Sequence, residues 1–323
     1  MKVLVADKFE PAGVEGIRAL GCVVRYEPGV GTERLGAMLA EVEPDVLVVR
    51  STKVPAGVLE KAAGVRLIVR AGSGVDNIDV GAASAKGIKV CNCPGMNAVA
   101  VAEVAMGLLL CCDRRVPDQS EQARAGKWNK KEFGKARGLK GLTLGVVGVG
   151  AIGQEVIRRA NAFEMNVVVW SRGITQQHAK ALNCEFGGTD TPALLALAAR
   201  ADAISVHLPL ADSTKKLFNK AFFDAMKPGS YFINTSRGGV VDEAALRQAV
   251  RDKGLRAGLD VFDNQPAEGE APWSNETVKL PGVYATHHCG ASTDQAQNAV
   301  AMETVRIVKV FKDSGRAENC VNA

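Results

Sequence analysis

Eleven short runs of β-branched and other apolar residues, each separated from the next by enough chain for a helix, decide most of what this 323-residue sequence can become. The first five are VLVA (3–6), CVVRYE (22–27), VLVVRS (46–51), RLIVRAG (66–72) and IKVCN (88–92). Six more follow from Thr143: TLGVVGV, NVVVWS, AISVH, YFINTS, AGLDVF and VYATHH. Strands joined by tight turns pair antiparallel, whereas strands joined through amphipathic stretches such as EGIRALG and TERLGAMLAEV lie parallel, because a parallel pair needs a long crossover. Two such series predict an α/β chain with two doubly wound parallel sheets. The length agrees, since a single hydrophobic core stops growing near this size. The intervening stretch from Asn97 to Cys112 is apolar all round and must be covered on every side, as an interdomain and dimer-forming helix would be. It is too short to cross a bilayer comfortably and carries Glu103.

Composition narrows the class. With 47% hydrophobic and 23% charged residues the chain suits a packed globular protein. A net charge of +5 spread over scattered Lys and Arg does not indicate a nucleic-acid surface but is compatible with an anionic substrate. The eight cysteines show no paired C-x-x-C spacing, as expected of free thiols in a reducing cytoplasm, and Cys289 reads as a packing residue. MKVLVAD enters a strand at once, without the features of an export signal. The basic stretch 126–140 reads as a solvated loop.

The segment TLGVVGVGAIGQEVIRRA sets Gly148, Gly150 and Gly153 directly after an apolar strand and at the opening of a helix. That context is the dinucleotide-binding fingerprint. Gly148 permits the turn, Gly150 lets the backbone approach a pyrophosphate, and Gly153 allows close helix-to-strand packing, with Ala151 and Ile152 at the positive helix N-terminus. The expectation is a Rossmann domain over 97–289, inserted into a discontinuous, flavodoxin-like substrate-binding domain formed by 1–96 and 290–323. The next strand ends in Trp170, Ser171 and Arg172, with no acid for the ribose hydroxyls of NAD. Arg172 is able to pair with a 2′-phosphate, so the cofactor is NAD or NADP, the latter slightly favoured. Ser171 and Arg172 are therefore expected at the ribose.

Of the four histidines, 178 and 207 read as structural, while 287 and 288 follow a strand at the sheet edge where open α/β proteins bind ligands. One of these two is expected to be the acid/base. Arg237, after YFINTS, is placed to grip a carboxylate with two parallel hydrogen bonds, and the glycines behind it leave the backbone open to a ligand. Asp260 and Gln265 follow the next strand. No metal site is indicated.

At these residues the sequence resembles the D-isomer-specific 2-hydroxyacid dehydrogenases, and within them the phosphoglycerate dehydrogenases. The resemblance runs through VRSTKV (49–54), VRAGSGVDNID (69–79), NCPGMNAVAVAE (92–103), GKWNKKEF (126–133), GVVGVGAIG, INTSRGGVVDE (233–243), GLDVF and HHCGAST (287–293). It implies that His288 is the acid/base, Arg237 the substrate clamp, and Asp260 the partner of the nicotinamide carboxamide. Leu208, Thr235, Ser236, Gly290 and Ala291 complete the implied cofactor contacts. Ser73 and Gly74 are implied to line the substrate and cofactor site. Arg50, Lys53 and Arg70 supply cations for a phosphorylated substrate, and Lys130 stands where a basic residue reaches over from a neighbouring subunit. The implied activity is oxidation of 3-phosphoglycerate to 3-phosphohydroxypyruvate, the entry to serine synthesis, in a cytoplasmic homodimer without membrane or nucleic-acid partners. The alternatives are an NADPH-dependent glyoxylate or hydroxypyruvate reductase and a non-catalytic dinucleotide sensor.

Two departures stand out. The family places a glutamate before the proline that follows LDVF, hydrogen-bonded to the histidine, whereas this chain has Gln265 before Pro266. A neutral amide orients His288 through its carbonyl oxygen but does not stabilise an imidazolium by charge, so keto-acid reduction is expected to fade at lower pH. Glu268 or Glu270 is a substitute if the loop is displaced. The second departure is the missing ribose acid. The chain also ends at VNA, so feedback by serine through an appended regulatory domain is not expected.

Overall fold

The computed structural model describes residues 1–266 and 270–322. The chain forms two compact units, residues 1–97 with 292–323 and residues 98–291.

In the first unit, β1 (Lys2–Val5), β2 (Val23–Tyr26), β3 (Val46–Val49), β4 (Leu67–Arg70) and β5 (Lys89–Asn92) form one parallel sheet in the order β2-β1-β3-β4-β5. Every residue of β3 is buried, which is why VLVV is continuously apolar rather than alternating. The helix Asp294–Ser314 belongs to this unit and crosses the helix Pro11–Ala19 closely. A Cβ added at Gly13 would sit 2.9 Å from Ala301 Cβ, and one at Gly16 2.8 Å from a Val305 methyl, so both glycines are packing requirements. Residues beyond that helix pair antiparallel with β5 through Val321 N–H to Val90 O (2.8 Å) and Asn92 N–H to Asn319 O (3.3 Å). The pairing covers an otherwise open sheet edge.

The second unit holds β6 (Thr143–Val147), β7 (Asn166–Trp170), β8 (Glu185–Phe186), β9 (Ala203–Val206), β10 (Tyr231–Asn234), β11 (Arg256–Leu259) and β12 (Val283–Ala285). All are parallel, in the order β12-β11-β10-β9-β6-β7-β8. The chain leaves β6 for β7 on one side and returns to β9 on the other, so a crevice opens at the carboxyl ends of β6 and β9. The apolar helix Ala98–Arg114 lies against this sheet: a Cβ on Gly258 of β11 would come within 2.7 Å of Leu108 Cβ.

The two sheets are the expected α/β architecture, with two local differences. The two-residue strand β8 is too short to leave a periodic signature. Within the basic stretch, Lys130–Phe133 is a helical turn rather than loop, capped by Asn129 and pinned by Arg115, which bonds Glu132 at 2.6 Å and lies 4.8 Å over the Phe133 ring. Among the described residues no helix is long and apolar enough to cross a membrane.

Candidate active site

The glycine turn between β6 and the helix Ala151–Ala162 is built by contact rather than by flexibility. Gly148 has φ +99°, and a Cβ there would lie 2.5 Å from His207 O at the end of β9. A Cβ at Gly153 would lie 2.0 Å from Gly148 O, so only hydrogen lets the helix approach the turn. Gly150, by contrast, faces open space, and Ala151 beside it is exposed while Ile152 is half-buried. The helix N-terminus is thus free to meet a phosphate.

Two buried polar atoms at neighbouring strand ends, His207 Nδ1 and Thr235 Oγ1, find no partner among the described residues. Buried polar atoms are normally paired, so this pair marks a place for a polar ligand. Together with the open Gly150, they fit a dinucleotide lying along the crevice. His207 had looked structural in sequence; its Nε2 is 2.8 Å from Ser205 Oγ, and burial pushes its protonation down to about 3.

Several expected cofactor contacts prove to be occupied within the protein. Arg172 gives one guanidinium arm to Ser213 Oγ and another to Ser213 O, both at 2.7 Å, rather than standing free for a 2′-phosphate. Ser171 is half-buried beside it, and Leu208 is half-buried after β9. Ser236 donates both its N–H (3.0 Å) and its hydroxyl (2.7 Å) to Asn234 Oδ1, while Asn234 Nδ2 holds Arg237 O at 2.9 Å. Ser236 therefore shapes the turn that presents Arg237.

Asp260, expected at the carboxamide, is buried and organises the histidine loop. Its Oδ1 accepts from Thr286 Oγ1 (2.6 Å) and Cys289 N–H (2.9 Å), and its Oδ2 from Gly290 N–H (3.0 Å). Gly290 thus spends its amide on Asp260; Ala291 next to it is half-buried. His288 donates its N–H to Asp260 O at 2.8 Å and adopts φ +52°, a conformation an L-residue holds only when its surroundings impose it. His288, His287 and Cys289 are all exposed, so Cys289 is not the packing residue anticipated.

Arg237 and His288 are joined by an unbroken series of contacts. Gly238 sits against the Phe262 backbone so tightly that a Cβ would lie 2.0 Å from Phe262 C. This close approach, not exposure to a ligand, explains the first glycine after Arg237. Phe262 N–H donates to Gln265 Oε1 at 3.1 Å, and Gln265 Nε2 lies 2.6 Å from His288 Nδ1. The amide nitrogen therefore faces the imidazole, the reverse of the expected orientation, because a backbone N–H has already claimed the oxygen. Arg237 itself bonds Ser236 O through Nη1 at 2.8 Å. Glu270 is exposed, and Glu268 lies outside the described residues.

In the first unit, the loops after β3 and β4 are held by groups the sequence reading had not singled out. The Asp7 carboxylate accepts from the N–H groups of Arg50 (2.6 Å), Ser51 and Thr52 (3.1 Å each) and from the Thr52 hydroxyl (2.9 Å). Arg50 Nη1 reaches Gln297 Oε1 at 2.9 Å. The Arg70 guanidinium curls over Gly72, filling the space a Cβ would need. Ser73 Oγ bonds Asn97 Oδ1 at 2.8 Å, and Asn92 Nδ2 holds Ser73 O at 2.6 Å, fixing Ser73 and the half-buried Gly74. Lys53 and Lys130 are exposed. A carboxylate that gathers successive N–H groups has no strand or helix period, which hid Asp7 from the sequence.

The D-isomer specific 2-hydroxyacid dehydrogenase NAD binding domain matches residues 106–290. The chain belongs to the D-isomer-specific 2-hydroxyacid dehydrogenase family. It is 38% identical over 324 residues to the D-3-phosphoglycerate dehydrogenase of Methanocaldococcus jannaschii, covering 100% of this chain and 59% of that relative. It is 44% identical over 275 residues to the hydroxypyruvate reductase of Thermotoga maritima, covering 84% of this chain and 86% of the relative. A solved NADPH-dependent glyoxylate/hydroxypyruvate reductase from Sinorhizobium meliloti, in complex with NADP and malonate, matches with a TM-score of 0.81 and 29% identity over 99% of this chain and 96% of that one. The second unit thus contains the NAD-binding domain of this dehydrogenase family.

Proposed function

We propose that the protein transfers a hydride between NAD or NADP and C2 of a small anionic 2-hydroxy acid, and that its substrate is 3-phosphoglycerate. The observation that carries the reading is the contact series from Arg237 through Gly238, Phe262 and Gln265 to His288, which sets a guanidinium and an imidazole at the same sheet edge as the glycine turn. Arg237 binds the carboxylate and polarises the adjacent carbon–oxygen bond. His288 takes the hydroxyl proton on oxidation and returns it on reduction. The nicotinamide, when bound, exchanges the hydride with C2. Thr235, Leu208 and Ala291 would line its site, with Asp260 Oδ2 keeping a free lone pair for the carboxamide. Arg50, Lys53, Arg70, Ser73 and Gly74 bind the substrate's anionic groups, with Lys130 contributed by a second copy of the chain. Residues 1–97 with 292–323 act as the substrate-binding domain. The reaction opens serine synthesis, in the cytoplasm and in a homodimer.

A second reading, NADPH-dependent reduction of hydroxypyruvate or glyoxylate, is favoured by Ser171 and Arg172, rather than an acid, following strand β7. Steady-state kcat/KM for 3-phosphoglycerate, hydroxypyruvate and glyoxylate, each with both cofactors, separates the readings. A preference for 3-phosphoglycerate supports the first, a preference for the unphosphorylated keto acids with NADPH supports the second, and no turnover with any pair overturns both in favour of a dinucleotide sensor.

A further inference from the structure

Gln265 has one donating end and one accepting end, and Phe262 decides which faces the histidine. A backbone N–H only donates, so the atom 3.1 Å from Phe262 N is the amide oxygen. The –NH2 group, which only donates, is then the atom 2.6 Å from His288 Nδ1. Nδ1 must offer a lone pair to accept that bond, and a neutral imidazole with a lone pair on Nδ1 carries its proton on Nε2.

We infer that resting His288 is held as the neutral Nε2–H tautomer by the Gln265 amide, and that Gln265 is a positioning residue that must turn over before His288 exchanges a proton with substrate. The second half rests on the proposed dehydrogenase reading. In oxidation the C2–H bond breaks with its electron pair going to the nicotinamide, and the hydroxyl proton goes to a lone pair on Nε2. That requires the Nδ1–H tautomer. In reduction the hydride returns to C2 and the proton on Nε2 of an imidazolium passes to the C2 oxygen, leaving the same Nδ1–H form. Both directions present Nδ1–H to position 265, where the resting amide offers another donor. Turning the amide by half a rotation points its oxygen at Nδ1–H, at the expense of the bond from Phe262. A glutamate at this position would accept from Phe262 N–H and from Nδ1–H together, with no turn. Because both directions pass through the same turned state, removing the need to turn raises kcat/KM equally in oxidation and reduction at a given pH. One such hydrogen bond corresponds to a factor of roughly two to ten.

The direct test is nitrogen NMR of the full chain labelled at its four histidines, at a pH where they are neutral, with His288→Asn providing the assignment. The expected spectrum has the pyridine-type nitrogen of His288 at Nδ1, moving to Nε2 in Gln265→Glu. A pyridine-type signal at Nε2 in the unaltered protein overturns the inference, whether or not the protein turns over any hydroxy acid. Gln265→Leu, which keeps the volume but donates nothing, should give a mixture of tautomers; retention of the pure Nε2–H form there also overturns it. Kinetically, Gln265→Glu should raise kcat/KM about two- to tenfold in both directions, and a fall in both would count against the turn. Absence of all turnover with an Nε2–H spectrum would instead sink the dehydrogenase reading alone.

Discussion

Replacing Gly238 by Ala tests whether the contact series positions the imidazole. The new methyl would lie 2.0 Å from Phe262 C and 2.3 Å from Asp263 N. Ordinary contact starts near 3.4 Å, so the Phe262–Asp263 backbone has to retreat by about 1.4 Å. That backbone carries the N–H that anchors Gln265, and the displacement passes through Gln265 to His288. Misplacing a catalytic group by about 1 Å costs roughly 100-fold, so kcat/KM should fall by about that factor. Overpacking should cost about 1–3 kcal/mol, read as a fall of about 2–4 °C in Tm for each kcal/mol. Gly239→Ala is the control, because its Cβ meets side chains alone, the Leu210 methyls at 3.2 Å, which rotate away, and Asp263 Oδ1 at an ordinary 3.4 Å. It should leave kcat/KM within about twofold. Fluorescence titration with NADH should give unchanged affinity in both variants, since neither touches the glycine turn. Full activity in Gly238→Ala, or equal damage from Gly239→Ala, would refute the reasoning.

Three further outcomes are expected. Gln265→Glu supplies a carboxylate that stabilises the imidazolium, so the pH above which keto-acid reduction declines should rise; an unchanged profile would show that Gln265 does not act on His288. If the Arg172 guanidinium leaves Ser213 to meet a 2′-phosphate, Arg172→Ala should weaken NADP about tenfold relative to NAD, measured as the ratio of their dissociation constants, whereas an equal loss for both would show that it stays with Ser213 and has no role in phosphate recognition. Burial pushes His207 down to about 3, whereas in the unfolded chain it titrates near 6.5. The unfolded chain then binds the extra proton, so this stability is complete above about pH 6.5 and is lost towards pH 3, by up to about 1.4 kcal/mol per pH unit. Urea unfolding of His207→Gln should show a shallower decline between about pH 6.5 and 4 than the unaltered chain; parallel slopes would contradict it.

The two sheets were legible in sequence because parallel strands buried on both faces leave dense β-branched runs, as VLVV and TLGVV do. The glycine fingerprint was legible because it is a strand, a turn and a helix in a fixed order. What sequence concealed is polarity at short range. Gln265 was visible as a departure, but its orientation depends on Phe262 N–H, a backbone group with no side-chain signature. Gly238 was read as open to a ligand when its neighbour is the loop carrying Gln265. Asp260 and Asp7 act by collecting backbone N–H groups, and nothing in composition or period distinguishes such a carboxylate from a solvated one. Arg172 was correctly placed at a strand end, yet its engagement with Ser213 depends on a loop forty-one residues later in the chain.

The first unit takes its strands from one end of the chain and the helix Asp294–Ser314 from the other, with residues 98–291 intervening. During synthesis at about 5–20 residues per second, the face of Pro11–Ala19 that will receive Ala301 and Val305 therefore waits on the order of ten seconds or longer for its cover. The contiguous unit has no such delay. A nascent chain halted at residue 291 should accordingly yield its N-terminal hundred or so residues to protease while retaining the remainder, and that early exposed apolar strip is where a holding chaperone would bind.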